Sequence, residues 1–457
     1  MKRIYVFILL AAASVLTLQA VDPRTELGTN PDRSASNHYA YPYPADKTLP
    51  QLTPAPAGYE AFYIDHYGRH GSRWLTHANT YSRPVRQLEK AQSEHMLTLQ
   101  GERLLKVLHR VLEASEKRDG DLSDLGAEQH QQIAERMYRN FPSVFAGDAR
   151  IDARSTVVIR CILSMQNETM TLRTLNPALR ITTDASYHDM PYMGWGYGED
   201  TLANHIRTEV AKVTDSLYRR CVHPERFVAQ LVTDPDWAAY ELQCQFLMRD
   251  VFDVAGSLQG HHEFDDVTLY QFFTTDELFE LWRLKNIYWY CHWANAPLNG
   301  NRMPYIERAL MRDMIAKADE AIASGEQGAS LRFGHETCVL PLACLMELDS
   351  VNYSCEDLDS LHLHWQDYNI IPKACNIQVV FYRPVGTTAV NPDDVLVKVL
   401  FNEHEATLPV GHDTAPYCRW SDLKSHWQQR IAPPVDWAAP APVDRVLQSR
   451  LFTSGDD

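Results

Sequence analysis

The chain has 457 residues, 59 of them Asp or Glu against 43 Lys or Arg, for a formal net charge of −16. That balance excludes general affinity for nucleic acid or anionic membranes, while leaving room for a local cationic pocket. Hydrophobic content of 45% supports a large core, and nine Cys without a C-x-x-C pair exclude a zinc ribbon or thioredoxin-like redox site.

In chain order, Lys2 and Arg3 precede an apolar run from Ile4 to Leu18, with Ala20 behind it. This is the layout of a secretory signal peptide over residues 1–20, and it directs the mature chain to the periplasm or the exterior. No later apolar run reaches the ~18 residues of a membrane span, and no Cys follows the leader for lipid attachment. Export permits disulfides, and the odd number of Cys leaves at least one thiol unpaired or bridging chains. Residues 21–57 carry Pro42, Pro44, Pro50, Pro54 and Pro56 and read as an extended segment along the surface.

"GYEAFYIDHYG", residues 58–68, reads as a strand with apolar residues on both faces, as in a buried parallel sheet. Residues 82–114 read as helical, with Pro84 and Gly101 as breaks and Leu104, Leu105, Leu108, Val111 and Leu112 on one face. A second helix covers 123–141, with Ser123 as its N-cap and Ile133, Met137 and Phe141 in four-residue steps. A short strand at 149–155, a helix ending at Asn176-Pro177 and a strand at 179–186 complete an alternation of strand and helix. Such alternation predicts an α/β fold, a mostly parallel sheet flanked by helices. From 197 to 327 strand patterns fade, and this stretch reads as an inserted all-helical cap. Its aromatic stripe of Trp282, Tyr288, Trp289, Tyr290 and Trp293 reads as packed core. Beyond it, 376–384 and 394–409 read as two further strands. The α/β part therefore comprises 58–196 and 328–457.

"HYGRHGSR", residues 66–73, follows the first strand. Gly68 and Gly71 permit a tight turn there, and open α/β sheets bind ligands at the carboxyl ends of their strands. Arg69 and Arg73 offer bidentate donors for phosphate oxygens, and the His70 imidazole between them is a nucleophile when neutral. R-H-G-x-R arises by chance in on the order of one chain of this size in a few hundred. Three more segments accompany it: "LSDLGAEQH" at 122–130, "RSTVVIRCILSM" at 154–165 with Arg154 and Arg160 six apart, and "FGHET" at 333–337.

In these motifs and their order, from about residue 59 to 420, the chain resembles the histidine acid phosphatases. These form branch two of the histidine phosphatase superfamily. The "HDMPYM" segment at 188–193 and the Glu after His335 are most similar to the bacterial multiple inositol-polyphosphate phosphatases (phytases). Two positions depart from the pattern: Leu75 replaces a frequent Pro, and His335-Glu336 lacks the spacer of the usual H-A-E.

The resemblance implies an exported phosphomonoesterase that takes a small anionic phosphate ester, with neither metal nor other cofactor and no protein partner. His70 is the implied nucleophile, forming a phosphohistidine, and Glu336 the proton donor. Arg69, Arg73, Arg160 and His335 hold the phosphate oxygens, and Arg154 stands behind them. Asp189 is the alternative acid. Arg83, Arg86 and His188 are candidates for further substrate contacts. Broad acid or sugar-phosphate phosphatases remain alternatives within the class; a phosphotransferase or mutase, or a non-catalytic phosphate-ester binder, lies outside it. His66 is assigned to packing. The clusters "QGHHEFDD" and "NEHEATLP" lack H-E-x-x-H spacing and read as solvated loops or strand edges.

Overall fold

The structure, a computed structural model, describes residues 22–43, 49, 51–194, 196–387, 390–412 and 414–443. The signal-peptide reading, on residues 1–20, lies outside them. Eight strands form one sheet: β1 (Tyr59–Arg69), β2 (Arg150–Ser155), β3 (Arg180–Asp184), β4 (Gly328–Gly334), β5 (Asn376–Pro384), β6 (Leu396–Phe401), β7 (His404–Glu405) and β8 (Cys418–Arg419). Their order is β3-β2-β4-β1-β5-β6-β7, with β8 also paired to β6. The sheet is mixed. Neighbours from β3 through β1 run parallel, and those from β1 outward through β5 run antiparallel. β4, fully buried, was hidden in the sequence between a helical stretch and the His335 motif.

Register matters for the site. Arg69 pairs with Gly334, and Ser155 with Phe333. The chain therefore leaves β1, β4 and β2 at the same edge, delivering His70, His335 and Thr156 side by side. This is the carboxyl edge where parallel strands release their loops.

Helices cover both faces. On one, α4 (Asp124–Asn140) and α5 (Ile159–Leu175) pack Ile133, Met137, Met165 and Leu172 against Ile64, Ile151, Leu331 and Phe333. On the other lie α12 (Arg308–Ser324), α13 (Glu336–Met346) and α15 (Trp420–Ile431). Between β3 and β4 come the short α6 (Met190–Met193), then α7 (Asn204–Cys221), α8 (Glu225–Ala229), α9 (Pro235–Glu241), α10 (Cys244–Leu258) and α11 (Thr275–Trp293). α2 (Ala78–Ser93) packs on α10, whereas α12 packs on β1, α13 and α15. Contacts thus join a helix that precedes β2 to the helices between β3 and β4, and the last of those helices to the sheet.

Local readings held at the caps. Ser123 accepts from Gly126 N at the start of α4, and Asn176 closes α5. The breaks expected at Pro84 and Gly101 are absent: Pro84 lies within α2 and Gly101 in the first turn of α3 (Leu99–Ala114). The chain turns between them instead, with His95 at φ 59° and Thr98 capping α3. Gly101 is a packing requirement, since a Cβ there would lie 2.3 Å from Leu231 O.

The N-terminal segment read as extended is instead partly helical. Asp22 caps α1 (Pro23–Thr29), and a 3-10 stretch covers Pro31–His38, each helix beginning with Pro where its missing N–H costs nothing. Within that stretch Ser34, Ala35, Ser36 and Asn37 are buried.

Candidate active site

The turn after β1 is held by interlocking glycines. A Cβ on Gly71 would lie 2.2 Å from Gly126 O, and one on Gly126 would lie 2.1 Å from Ser72 O. Backbone meets backbone there, so the two motifs containing these glycines need each other. Gln129 completes the clasp: Oε1 accepts from Ser72 N at 2.8 Å, and Nε2 donates to Ser72 Oγ at 3.0 Å. Gly71 N donates to Ser164 Oγ at 3.2 Å, and the buried His130 bridges Arg69 O and Glu168. Leu75, the residue that departs from the resembled motif, donates its N–H to Tyr81 Oη at 2.8 Å, a bond Pro could not make.

His70 is buried, and its Nδ1 lies 2.8 Å from Gly71 O. A carbonyl only accepts, so Nδ1 carries the hydrogen and Nε2 keeps its lone pair. Burial, then Arg160, Arg69, Lys373 and Arg73, push the His70 pKa far below that of an ordinary imidazole. The ring is therefore neutral and nucleophilic in acid as well as at neutrality. Its Nε2 lies 3.9 Å from Glu336 Oε2.

Glu336 opens α13 directly after His335, its N-cap, where a helix start favours a carboxylate. Its Oε1 accepts from Arg69 Nη2 at 2.6 Å and from Asn37 Nδ2 at 2.8 Å. Burial alone would raise its pKa, but Arg69, Lys373, Arg73 and His335 outweigh it and hold the carboxyl well below the usual range. In the free protein Glu336 is ionised.

A cavity of about 560 Å³ opens over these groups, lined by His70, Arg73, Arg160, His335 and Glu336. The His335 ring meets the His70 ring edge-on at 5.6 Å, and burial followed by Arg160 lowers its pKa to about 3. Burial also lowers Arg73 to about 10. The Nε atoms of Arg73 and Arg160 have no hydrogen-bond partner among the described residues. Tyr197, Tyr288, Trp289 and Trp293 form the facing wall. Trp282, Trp289, Tyr290 and Trp293 are buried in the core as expected, with Trp289 and Trp293 also reaching the cavity, whereas Tyr288 is exposed.

Other expectations are met differently. Arg69 is completely buried and does not line the cavity. Its Nη1 donates to Asn37 O, Ile371 O and Pro372 O, making it the tie between Glu336 and two distant loops. Arg154 pairs with Asp189 at 2.7 Å, and Tyr192 Oη donates to the other Asp189 oxygen at 3.0 Å. Asp189 is thus occupied and absent from the cavity lining, in which Glu336 is the carboxylate. His188 is exposed. Arg83 pairs with Asp250 at 2.6 Å and lines an adjoining cavity that shares Tyr288 with the first. Arg86 is exposed and bonds Ser82, lining neither. His66 is buried against Phe333, with a pKa that burial lowers to about 3.

The clusters read as solvated are partly interior: His261 packs on Trp74, and Glu403 is buried against Arg136. All nine cysteines are free thiols, and Cys161 Sγ lies 3.7 Å from His335 Nε2. Sequence reasoning missed Asn37 and Lys373, which approach from opposite ends of the chain with no motif around them.

His70, His335 and Glu336 offer three potential ligand atoms within 4.8 Å of one another. Arg69, Arg73, Arg160 and Lys373 act on these same groups. That field attracts an anion and opposes a metal cation.

No family model and no curated protein sequence matches the chain. Solved structures do. The multiple inositol polyphosphate phosphatase of Bifidobacterium longum, complexed with inositol hexasulfate, aligns with a TM-score of 0.70 at 17% identity, over 87% of this chain and 98% of that one. Its phosphate complex aligns at 0.72 and 17%, over 89% and 100%. The phytase from D. castellii aligns at 0.60 and 13%, over 88% and 86%. The chain has the fold of these enzymes.

Proposed function

We propose that this chain is an exported phosphomonoesterase acting through a phosphohistidine, with inositol polyphosphates such as phytate as its substrates. The observation that carries the reading is His70 Nε2, unprotonated and 3.9 Å from Glu336 Oε2, in a cavity that Arg73, Arg160 and His335 also line. The fold shared with the Bifidobacterium enzyme supports the substrate class.

Arg73, Arg160 and His335 neutralise and orient the phosphoryl oxygens. Nε2 attacks phosphorus, an N–P bond forms and the ester P–O bond breaks. The departing alkoxide takes a proton from Glu336. That proton enters with the substrate: an ester monoanion brings one in, and its negative charge offsets the cations that hold Glu336 ionised. Water then attacks phosphorus with Glu336 as base, the N–P bond breaks, and inorganic phosphate leaves.

One observation favours a broader acid phosphatase as second reading. Beyond the phosphate cradle, the described cavity wall is aromatic rather than basic, and both Arg83 and Arg86 lie outside it. An aromatic wall accepts ring-bearing esters of many kinds.

The test is phosphate release from inositol, sugar and aryl phosphates, with His70→Ala alongside. The reading expects preference for inositol polyphosphates and no turnover by the variant. Equal rates across the panel favour the second reading; normal turnover without His70 overturns both.

A further inference from the structure

Lys373 lies in the turn before β5, and that turn is clamped to the nucleophile's own turn from both sides. Arg69 Nη1 donates to Ile371 O at 2.8 Å and to Pro372 O at 3.1 Å. Arg69 N donates to Cys375 O at 2.8 Å, and Ala374 N to His70 O at 3.1 Å. Lys373 N itself donates to Tyr39 O at 2.8 Å, fastening the N-terminal segment to the same turn. Ala374 adopts a left-handed φ of 56°, a conformation that a residue with a Cβ holds only when its surroundings impose it.

The side chain held in this way is 2% exposed, and its Nζ has no hydrogen-bond partner among the described residues. A buried amine with three donors and no acceptor is costly, and structural lysines normally meet a carboxylate or carbonyl. The carboxylate that acts on it, Glu336, already has its Oε1 occupied by Arg69 and Asn37. We propose that Lys373 is a further phosphate-binding cation of this site, its charge matched only when a phosphate group occupies the space beside His70. The proposal rests on the phosphatase reading above. Its physical signature is a group that weakens the empty protein and strengthens the loaded one.

Electrostatics agree with the geometry. Burial first, then Arg69 and Arg73, hold the Lys373 pKa well below that of an ordinary lysine, with Glu336 opposing and Arg160 adding to the depression. A phosphate, carrying about 1.5 negative charges or more at neutral pH, reverses the sign of that environment.

The experiment measures thermal unfolding and inorganic phosphate binding for the parent, Lys373→Met and Lys373→Gln. Both variants remove the charge while keeping a long side chain. The expected result is a phosphate Kd weakened at least about tenfold, one charge-assisted contact's worth. The ligand-free Tm should stay level or rise by roughly 1–3 °C, because an uncompensated buried charge has been deleted. Neutral variants whose phosphate Kd stays within about twofold of the parent overturn the proposal, and a lowered ligand-free Tm then identifies a structural lysine. If the parent binds phosphate and turns over esters through His70, that failure belongs to Lys373 alone. A parent that neither binds phosphate nor releases it overturns both readings.

Discussion

Asn37 Nδ2 donates a 2.8 Å hydrogen bond to Glu336 Oε1, joining two buried residues 299 positions apart. With Arg69 on the same oxygen, it leaves Oε2 as the oxygen turned toward His70. The N-terminal segment therefore holds a carboxylate that lines the cavity, without lining it itself.

Asn37→Leu tests that contact. Losing a hydrogen bond to a charged group costs about 1.5–3 kcal/mol, and a carboxyl free to swing is badly placed for proton transfer. The kcat for alkyl phosphates should fall about tenfold or more. p-Nitrophenyl phosphate, whose leaving group needs little protonation, should lose much less. Equal losses on both esters would show that Asn37 acts on the fold rather than on the acid.

Glu336→Gln removes the proton itself while keeping the shape. Alkyl phosphates should slow by roughly 10²–10⁴-fold, the usual range for a general acid. The aryl ester should again slow less. A variant that hydrolyses both at parental rates would require an acid other than Glu336.

The pH profile follows from the signs of the pKa shifts. His70 is lowered, so it stays neutral and active well below pH 6.5. Glu336 is lowered too, so the free enzyme cannot supply the proton and the ester monoanion must. As pH rises through the ester's second pKa, roughly 6, that proton is lost and kcat/KM should fall about tenfold per pH unit. The decline should shift with the second pKa of the ester used. A decline fixed at one pH for all esters would contradict proton delivery by substrate.

Gly71→Ala and Gly126→Ala should each damage the site through packing alone. Either Cβ would lie within 2.2 Å of a backbone oxygen of the opposing turn. Overpacking of this kind costs about 1–3 kcal/mol or more, and here it would displace His70. Thermal unfolding and activity should fall together in both variants. Full activity with an unchanged Tm in either would mean the turns separate freely.

Motif-bearing residues were legible because their chemistry and local geometry coincide. R-H-G-x-R sits at a strand end, Ser123 caps a helix, and Gly126 and Gln129 stand at the spacing their contacts with the turn require. Arg69 shows where that legibility stops. Its identity was plain, but its hydrogen bonds to Asn37, Glu336, Ile371 and Pro372 come from segments remote in sequence. Arg83 is similar: a basic residue reads as a substrate contact until Asp250, 167 positions away, takes its charge. Tyr288, Trp289 and Trp293 have the helical spacing of a core, and spacing alone does not say which side faces a cavity.

The sequence by itself singled out His70, Glu336 and the strand edge that presents His70, since these depend on residue type and short-range spacing. The tertiary structure alone decided how the Glu336 carboxyl is oriented, which arginines face the cavity and that Lys373 is buried within their field. A partner's position is set by how strands β1, β4 and β5 register across hundreds of residues, and no local pattern encodes that distance.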